Sequence, residues 1–242
     1  MIFEKKCGLR NKGYCYCCKK EVAFNAVSDW LRDHYLCQNC GCLPRERALM
    51  YCIEKFFKGW ENYAIHESSP VNRGASKRLK REARDYKASQ FFLNYPLGAM
   101  HPSGFMNQDL ENQSYEDGAF DLVVTQDVME HIFDPAKAFQ EIARTLKHGG
   151  AHIFTVPMVN KEKPTEIWAA KNEDGTINYL REPEYHGNPV DDQGSLVTRH
   201  WGYDITDFIF KSSGLQTTIV YIDNIDLGIR AEFIEVLISR KY

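Results

Sequence analysis

Apolar and polar positions along this chain fall into blocks of two periods, and the clearest block runs from Phe120 to Pro157. Asp121-Leu-Val-Val-Thr125 is a short run whose β-branched valines suit a strand covered on both faces. After a polar Gln126-Asp127, Asp134 stands where a helix N-cap belongs and Pro135 where the first helical residue belongs. Ala138, Phe139, Ile142 and Leu146 form an apolar stripe at helical spacing. Lys147 and His148 followed by Gly149-Gly150 predict the end of that helix, and Ala151 to Val156 the next strand. The block reads as one βαβ unit.

The pattern extends on either side. Asn62 to His66 predicts a first strand, Glu67-Ser-Ser-Pro70 a loop and Gly74 to Arg84 a helix. Lys87 to Phe92 and Gly104 to Gln108 predict second and third strands, the latter ending at Asp109-Leu110. Beyond Pro157 lies a polar segment of roughly forty residues, long enough to have a function of its own. Asp204 to Ser213 predicts a helix stopped by Gly214, and Thr217 to Ile222 with Glu232 to Ser239 two strands able to pair at a sheet edge. Together these predict an α/β fold, a Rossmann-like doubly wound and mostly parallel sheet of seven strands. Ligands of such sheets bind beyond the carboxyl ends of the strands, so Thr125 to His131 should border the site.

The head of the chain differs in kind. All eight cysteines fall within the first 52 residues. Cys15, Cys18, Cys37 and Cys40 form two C-x2-C pairs eighteen residues apart, the spacing of a zinc ribbon holding a structural zinc ion in four thiolates. Unrelated reduced or redox-active thiols are the other reading, and Cys17 and Cys42 offer short alternative spacings that leave the ligand choice open; Cys7 and Cys52 read as bystanders. The expected organisation is a zinc-ribbon-like module over residues 1–44, a linking helix over 45–59 and the sheet domain over 60–242, with 157–202 inserted on its acceptor side. Arg45 and Arg47, at the start of the linking helix, read as solvated or paired charge.

At 43% hydrophobic and 26% charged, the 242 residues can bury a sizeable core. No apolar run reaches the roughly 20 residues of a membrane span, and the start lacks the apolar core of a signal peptide, which makes the cytoplasm the default location. The first 60 residues hold 11 Lys and Arg against 6 Asp and Glu, the remainder 19 against 27. An acidic body of this kind disfavours nucleic acid as a partner.

FDLVVTQDVMEHI followed by EIARTLKHGGAHIFTVP resembles the fourth and fifth strands of class I S-adenosylmethionine-dependent methyltransferases, over roughly residues 60–240. The head, ending in CGCLPRER, resembles that of a subset of bacterial methyltransferases with a zinc-ribbon front, some encoded near sugar-transfer enzymes. The resemblance implies methyl transfer from S-adenosylmethionine to a small-molecule or carbohydrate-type acceptor. By the same resemblance Glu67 and Ser68 stand in the first cofactor motif and Gln90 at the ribose. Asp109 and Leu110 then lie at the adenine, and Thr125, Gln126 and Asp127 along the methionine part. Two positions depart from the pattern. The first loop is Glu67-Ser68-Ser69-Pro70 rather than GxGxG, and Gln90 replaces the usual acidic residue. The alternative reading is therefore a non-catalytic Rossmann body with a zinc-ribbon module that binds RNA or protein; a nucleotide-dependent oxidoreductase lacks its GxGxxG.

Methyl transfer to a well-placed acceptor needs no enzyme nucleophile, only positioning and, for a hydroxyl or amine, a base. His131 after the fourth strand, and His186 and His200 in the long polar segment, are the candidates, each with an ordinary packing or surface role as the other reading. Tyr185 and Trp201 beside them are candidates to stack on an acceptor.

Overall fold

In a computed structural model, described for residues 8–188 and 193–242, the central element is a seven-stranded sheet. The chain first makes a three-stranded antiparallel ribbon, β1 (Arg10–Cys15), β2 (Lys20–Ala26) and β3 (Tyr35–Cys37), with a short α1 (Leu31–His34) before β3. Then follow α2 (Pro44–Phe56), β4 (Ala64–Ser68), α3 (Gly74–Glu82), β5 (Asp85–Gln90), β6 (Met106–Asn107), β7 (Phe120–Gln126), α4 (Pro135–Thr145) and β8 (Leu146–Thr155). A run of short strands comes next: β9 (Glu166–Ile167), β10 (Ala169–Lys171), β11 (Ile177–Tyr179), β12 (Tyr185–His186), β13 (Ser195–Leu196) and β14 (Arg199–His200). The chain closes with α5 (Ile205–Ser213), β15 (Gln216–Val220) and β16 (Val236–Arg240).

The large sheet has the order β15-β16-β8-β7-β4-β5-β6. Neighbours from β8 to β6 pair in parallel, while β16 runs against both β8 and β15. This is the doubly wound architecture expected, with the two late strands paired at one edge. From β4 the chain winds outward through β5 and β6, then returns to place β7 on the other side of β4. The strand order reverses there, and a crevice must open above β4 and β7.

Period-two alternation decides what each face meets. Leu122 and Val124 of β7 join Ile65, Ala151, Ile153, Val236 and Ile238 in an apolar layer that also contains Leu49, Met50 and Ile53 of α2 and Phe24, Tyr35, Cys15 and Cys42 of the ribbon. Val123 points the other way, into a layer with Phe139 and Ile142 of α4 and Ile205 and Ile209 of α5. The cysteine-rich head thus covers one face of the sheet. Pro44 starts α2, and the Leu43 amide donates to Glu46 Oε2 at 2.8 Å. The Asp134 cap of α4 accepts from the Lys137 amide at 3.1 Å, as the sequence predicts.

Several boundaries move. Helix α4 ends at Thr145, short of the predicted glycine stop, because Leu146 is already extended and pairs with Phe120. Gly149 and Gly150 lie inside β8, exchanging backbone hydrogen bonds with Lys241 at 2.8 and 3.0 Å. Strand β4 runs to Ser68, which draws Glu67 from the predicted loop into the sheet. The long polar segment is not one loop: β9 pairs with β14, β10 with β11 and β12 with β13. Arg47, expected at the surface, is fully buried, and so is Trp201, which joins the α4–α5 core instead of an acceptor wall and donates to the Met129 carbonyl at 3.3 Å. Cys7 lies outside the described residues. No helix among those residues is long and apolar enough to cross a membrane.

Candidate functional site

The turns after β1 and β3 bring cysteines together at the base of the head. The Sγ atoms of Cys15, Cys37, Cys40 and Cys42 all lie within 4.8 Å of one another, with Cys15 at 3.4 Å from Cys42 and 3.9 Å from Cys40. Cys18 stands beside them, 4.0 Å from Cys37. No disulfide links the described cysteines. Thiols this crowded do not ionise independently: the neighbouring thiols draw Cys15 far below the ordinary thiol range, while burial and the same neighbours push Cys42 above it. Four thiol sulfurs this close form a donor set of the kind that holds a tetrahedral divalent cation. Three of the four predicted ligands are in the tight set, and Cys42, left open by the sequence, is the fourth.

An open cleft of about 1540 Å³ occupies the crevice above the carboxyl ends of β4 and β7. Ser68, Gln90, Asp109, Leu110, Gln126 and Asp127 line it. Glu67 and Thr125 sit one layer lower. Glu67 is fully buried; its Oε1 accepts from Ser76 Oγ at 2.6 Å and Gln126 Nε2 at 2.8 Å, and its Oε2 from Tyr86 Oη at 2.7 Å. Burial raises its pKa against those donors. Glu67 thereby holds the Gln126 amide, whose own Oε1 is buried without a hydrogen-bond partner among the described residues. Thr125 Oγ1 lies 3.0 Å from His152 Nε2 in the sheet interior.

Asp127 has φ 51° and turns its carboxylate toward the head. Arg32 reaches its Oδ2 at 2.6 Å and Arg45 at 2.7 Å, while Thr155 Oγ1 donates to Oδ1 at 2.9 Å. Burial pulls the Asp127 pKa upward, but the two guanidiniums outweigh it and hold the carboxyl below its ordinary range. Arg45 also pairs with Asp33 at 2.6 Å. Both arginines line the cleft, and Arg32 Nη1 is buried without a partner.

The lining also includes residues of the loop after β7 and of the stretch from Glu184 to β14. His131, His186 and His200 all line the cleft. His131 Nδ1 faces the Leu196 carbonyl at 2.9 Å. Glu184 bridges the other two, with Oε1 at 3.1 Å from His186 Nε2 and Oε2 at 2.9 Å from His200 Nε2. The His200 ring packs 4.0 Å from that of Trp168. Tyr185, half-exposed, stands at the rim.

Residues 72–154 match the family described as a methyltransferase domain. The matched stretch is about a third of the chain and includes β7 and α4. Among curated relatives, the sarcosine/dimethylglycine N-methyltransferase of Halorhodospira halochloris is 36% identical over 75 residues, 31% of this chain and 27% of that one. The dimethylglycine N-methyltransferase of Parasynechococcus marenigrum is 26% identical over 149 residues, 57% of this chain and 53% of that one. The chain thus spans about half the length of these relatives or less. An S-adenosylmethionine-dependent methyltransferase structure from Mesorhizobium loti is 14% identical, with 79% of this chain and 96% of that chain covered and a TM-score of 0.47.

The cleft gathers six of the eight sequence-predicted cofactor positions and all three candidate histidines. What sequence reading missed is the contribution of the head. Arg32 and Arg45 come from segments far from the sheet motifs in sequence, and only the packing of the ribbon over the sheet brings them to Asp127. Glu184 is also unheralded by any local signal, whereas the Glu130-His131 pair in the loop after β7 is visible in the sequence.

Proposed function

We propose that the protein transfers a methyl group from S-adenosylmethionine to a small-molecule acceptor, in the cleft above β4 and β7. The observation that carries this reading is the position of that cleft at the reversal of strand order, lined by polar groups with hydrogen-bonding capacity left over. Gln126 Oε1 and Arg32 Nη1, both without partners, provide an acceptor and a charged donor at the end where the methionine part would lie. Gln90, Asp109 and Leu110 would hold the nucleoside, and Ser68 and Gln126 the centre. When bound, the sulfonium supplies an electrophilic methyl for in-line displacement by an acceptor lone pair. The protein's own part is to position the acceptor, exclude water and take a proton where one is released, for which His200, held by Glu184, stands ready. The names of the relatives, sarcosine/dimethylglycine and phosphoethanolamine N-methyltransferases, favour an amine acceptor over a carbohydrate.

Calorimetric titration with S-adenosylhomocysteine tests this. Binding is expected in the wild type, lost in Asp109→Ala and weakened in Gln126→Ala. No binding up to millimolar concentration would remove the enzyme reading and leave the body as a binding module.

The cysteine cluster is read as a structural zinc site of Cys15, Cys37, Cys40 and Cys42, which offers the closed tetrahedral thiolate set such sites use. Purified protein should carry about one equivalent of zinc, retained by Cys18→Ser and lost by Cys42→Ser. Loss in Cys18→Ser with retention in Cys42→Ser would restore the two C-x2-C pairs as the ligand set.

A further inference from the structure

We propose that Glu130, His131 and His186 form a second metal site, distinct from the cysteines, which takes a borderline divalent cation such as Zn²⁺ on the acceptor wall of the cleft. One carboxylate oxygen and one nitrogen from each imidazole lie within 4.8 Å of one another. His131 Nε2 and His186 Nδ1 are each 3.7 Å from Glu130 Oε1, and the two rings stand 5.3 Å apart at 89°. That spacing is too long for hydrogen bonds. It is close to the roughly 3.3 Å that separates neighbouring ligand atoms around an ion bound tetrahedrally at about 2.0–2.1 Å.

Two features point to a cation rather than to an incidental cluster. Glu130 is only 2% exposed, and neither of its oxygens has a hydrogen-bond partner among the described residues. A buried carboxylate is costly unless charge or donors answer it, and no Lys or Arg is paired with it among those residues. The outer nitrogens of the histidines are, by contrast, both engaged, His131 Nδ1 by the Leu196 carbonyl at 2.9 Å and His186 Nε2 by Glu184 at 3.1 Å. Metal-binding histidines are oriented in this way, with the outer nitrogen held by a carbonyl or carboxylate and the inner one aimed at the ion. Two imidazoles and one carboxylate suit Zn²⁺ and its first-row neighbours better than Mg²⁺ or Ca²⁺, which take oxygen ligands. Both histidines line the cleft, and three protein ligands leave at least one coordination position open. A lone-pair donor on the acceptor would fill it; this last role rests on the methyl-transfer reading, whereas the site itself does not.

Protein with its cysteine cluster filled by zinc is titrated with Co²⁺ alone, followed by visible absorption and metal analysis. One further equivalent is expected, with weak ligand-field bands and without the intense thiolate-to-metal charge transfer that cobalt among cysteines would show. His186 is partly exposed on a two-stranded ribbon, so His186→Ala should fold normally and bind Co²⁺ at least about tenfold more weakly. Glu130→Gln should behave alike. No uptake beyond the cysteine-bound equivalent, or undiminished uptake in His186→Ala, overturns the site. Because neither cofactor nor turnover is involved, the result stands apart from the S-adenosylhomocysteine titration.

Discussion

Stability should fall steeply as the pH drops below about 6.5, by about 4 kcal/mol at pH 5 from two histidines alone. His66 and His152 are fully buried, in register with Val123 on the strands that flank β7. His66 Nε2 meets Ser89 Oγ at 2.8 Å and its ring stacks on Phe120, while His152 stacks on Phe154 at 4.2 Å. Burial, aided by the charge of Lys87, pushes the His66 pKa down from 6.5 to about 3. Burial, aided by His66, does the same to His152. The unfolded chain takes up a proton at each residue below about 6.5, whereas the native state takes none until about pH 3. The stability is therefore complete above 6.5 and is lost as pH falls through that window, at up to about 1.4 kcal/mol per pH unit for each residue. Glu46 and Glu67, whose pKa values burial raises, act in the opposite sense. Comparison with a variant cancels their contribution. Urea unfolding between pH 7.5 and 5 should show His152→Gln, whose amide can still bond Thr125, losing about half of the two-histidine slope. A variant slope equal to that of the wild type would sink the idea.

Arg47→Ala should cost about 4 kcal/mol or more and lower the melting temperature by roughly 10 °C. The guanidinium is fully buried and holds three separate segments by their carbonyls. Nε and Nη2 donate to Gly228 at 2.9 and 2.6 Å, Nη2 donates to Tyr35 at 2.8 Å, and Nη1 donates to Cys42. Its plane lies over the Phe24 ring at 4.7 Å. Truncation leaves three buried carbonyls short of a donor, each worth about 1–3 kcal/mol, beside a cavity. Arg47→Lys keeps the charge but not the fork, and should fall between. Urea unfolding decides this, and a loss below about 1 kcal/mol in Arg47→Ala would show that water replaces the guanidinium.

The contrast between Arg47 and α4 shows what the sequence could and could not disclose. Helix α4 announces itself because its signals are local: an Asp cap, a Pro at the first turn and an apolar stripe. The β7–α4–β8 unit, the doubly wound order and the position of the cleft follow from such signals. Arg47 gives no local sign of burial, since its partners are 5, 12 and 181 residues away. The same holds for Asp127, which belongs to the expected loop but points at Arg32, 95 residues earlier. Glycine at 149 and 150 misleads for a related reason: it ends helices, but it also serves in a strand, and only pairing with Lys241 decides between them. Cysteine spacing located the thiol cluster but could not choose between Cys18 and Cys42, because that choice depends on the turn after β3.

Gly74 opens α3 with φ 52°, and a β-carbon there would run into the Glu46 carboxylate, which also pairs with Arg73 at 2.9 Å. The absent side chain at Gly74 leaves room for the Glu46 carboxylate, delivered by α2. Loop and helix α2 therefore fit each other at this one position. A sheet domain cut free of α2 would lose the carboxylate that fills this spot. Whoever recombines these parts must move them together.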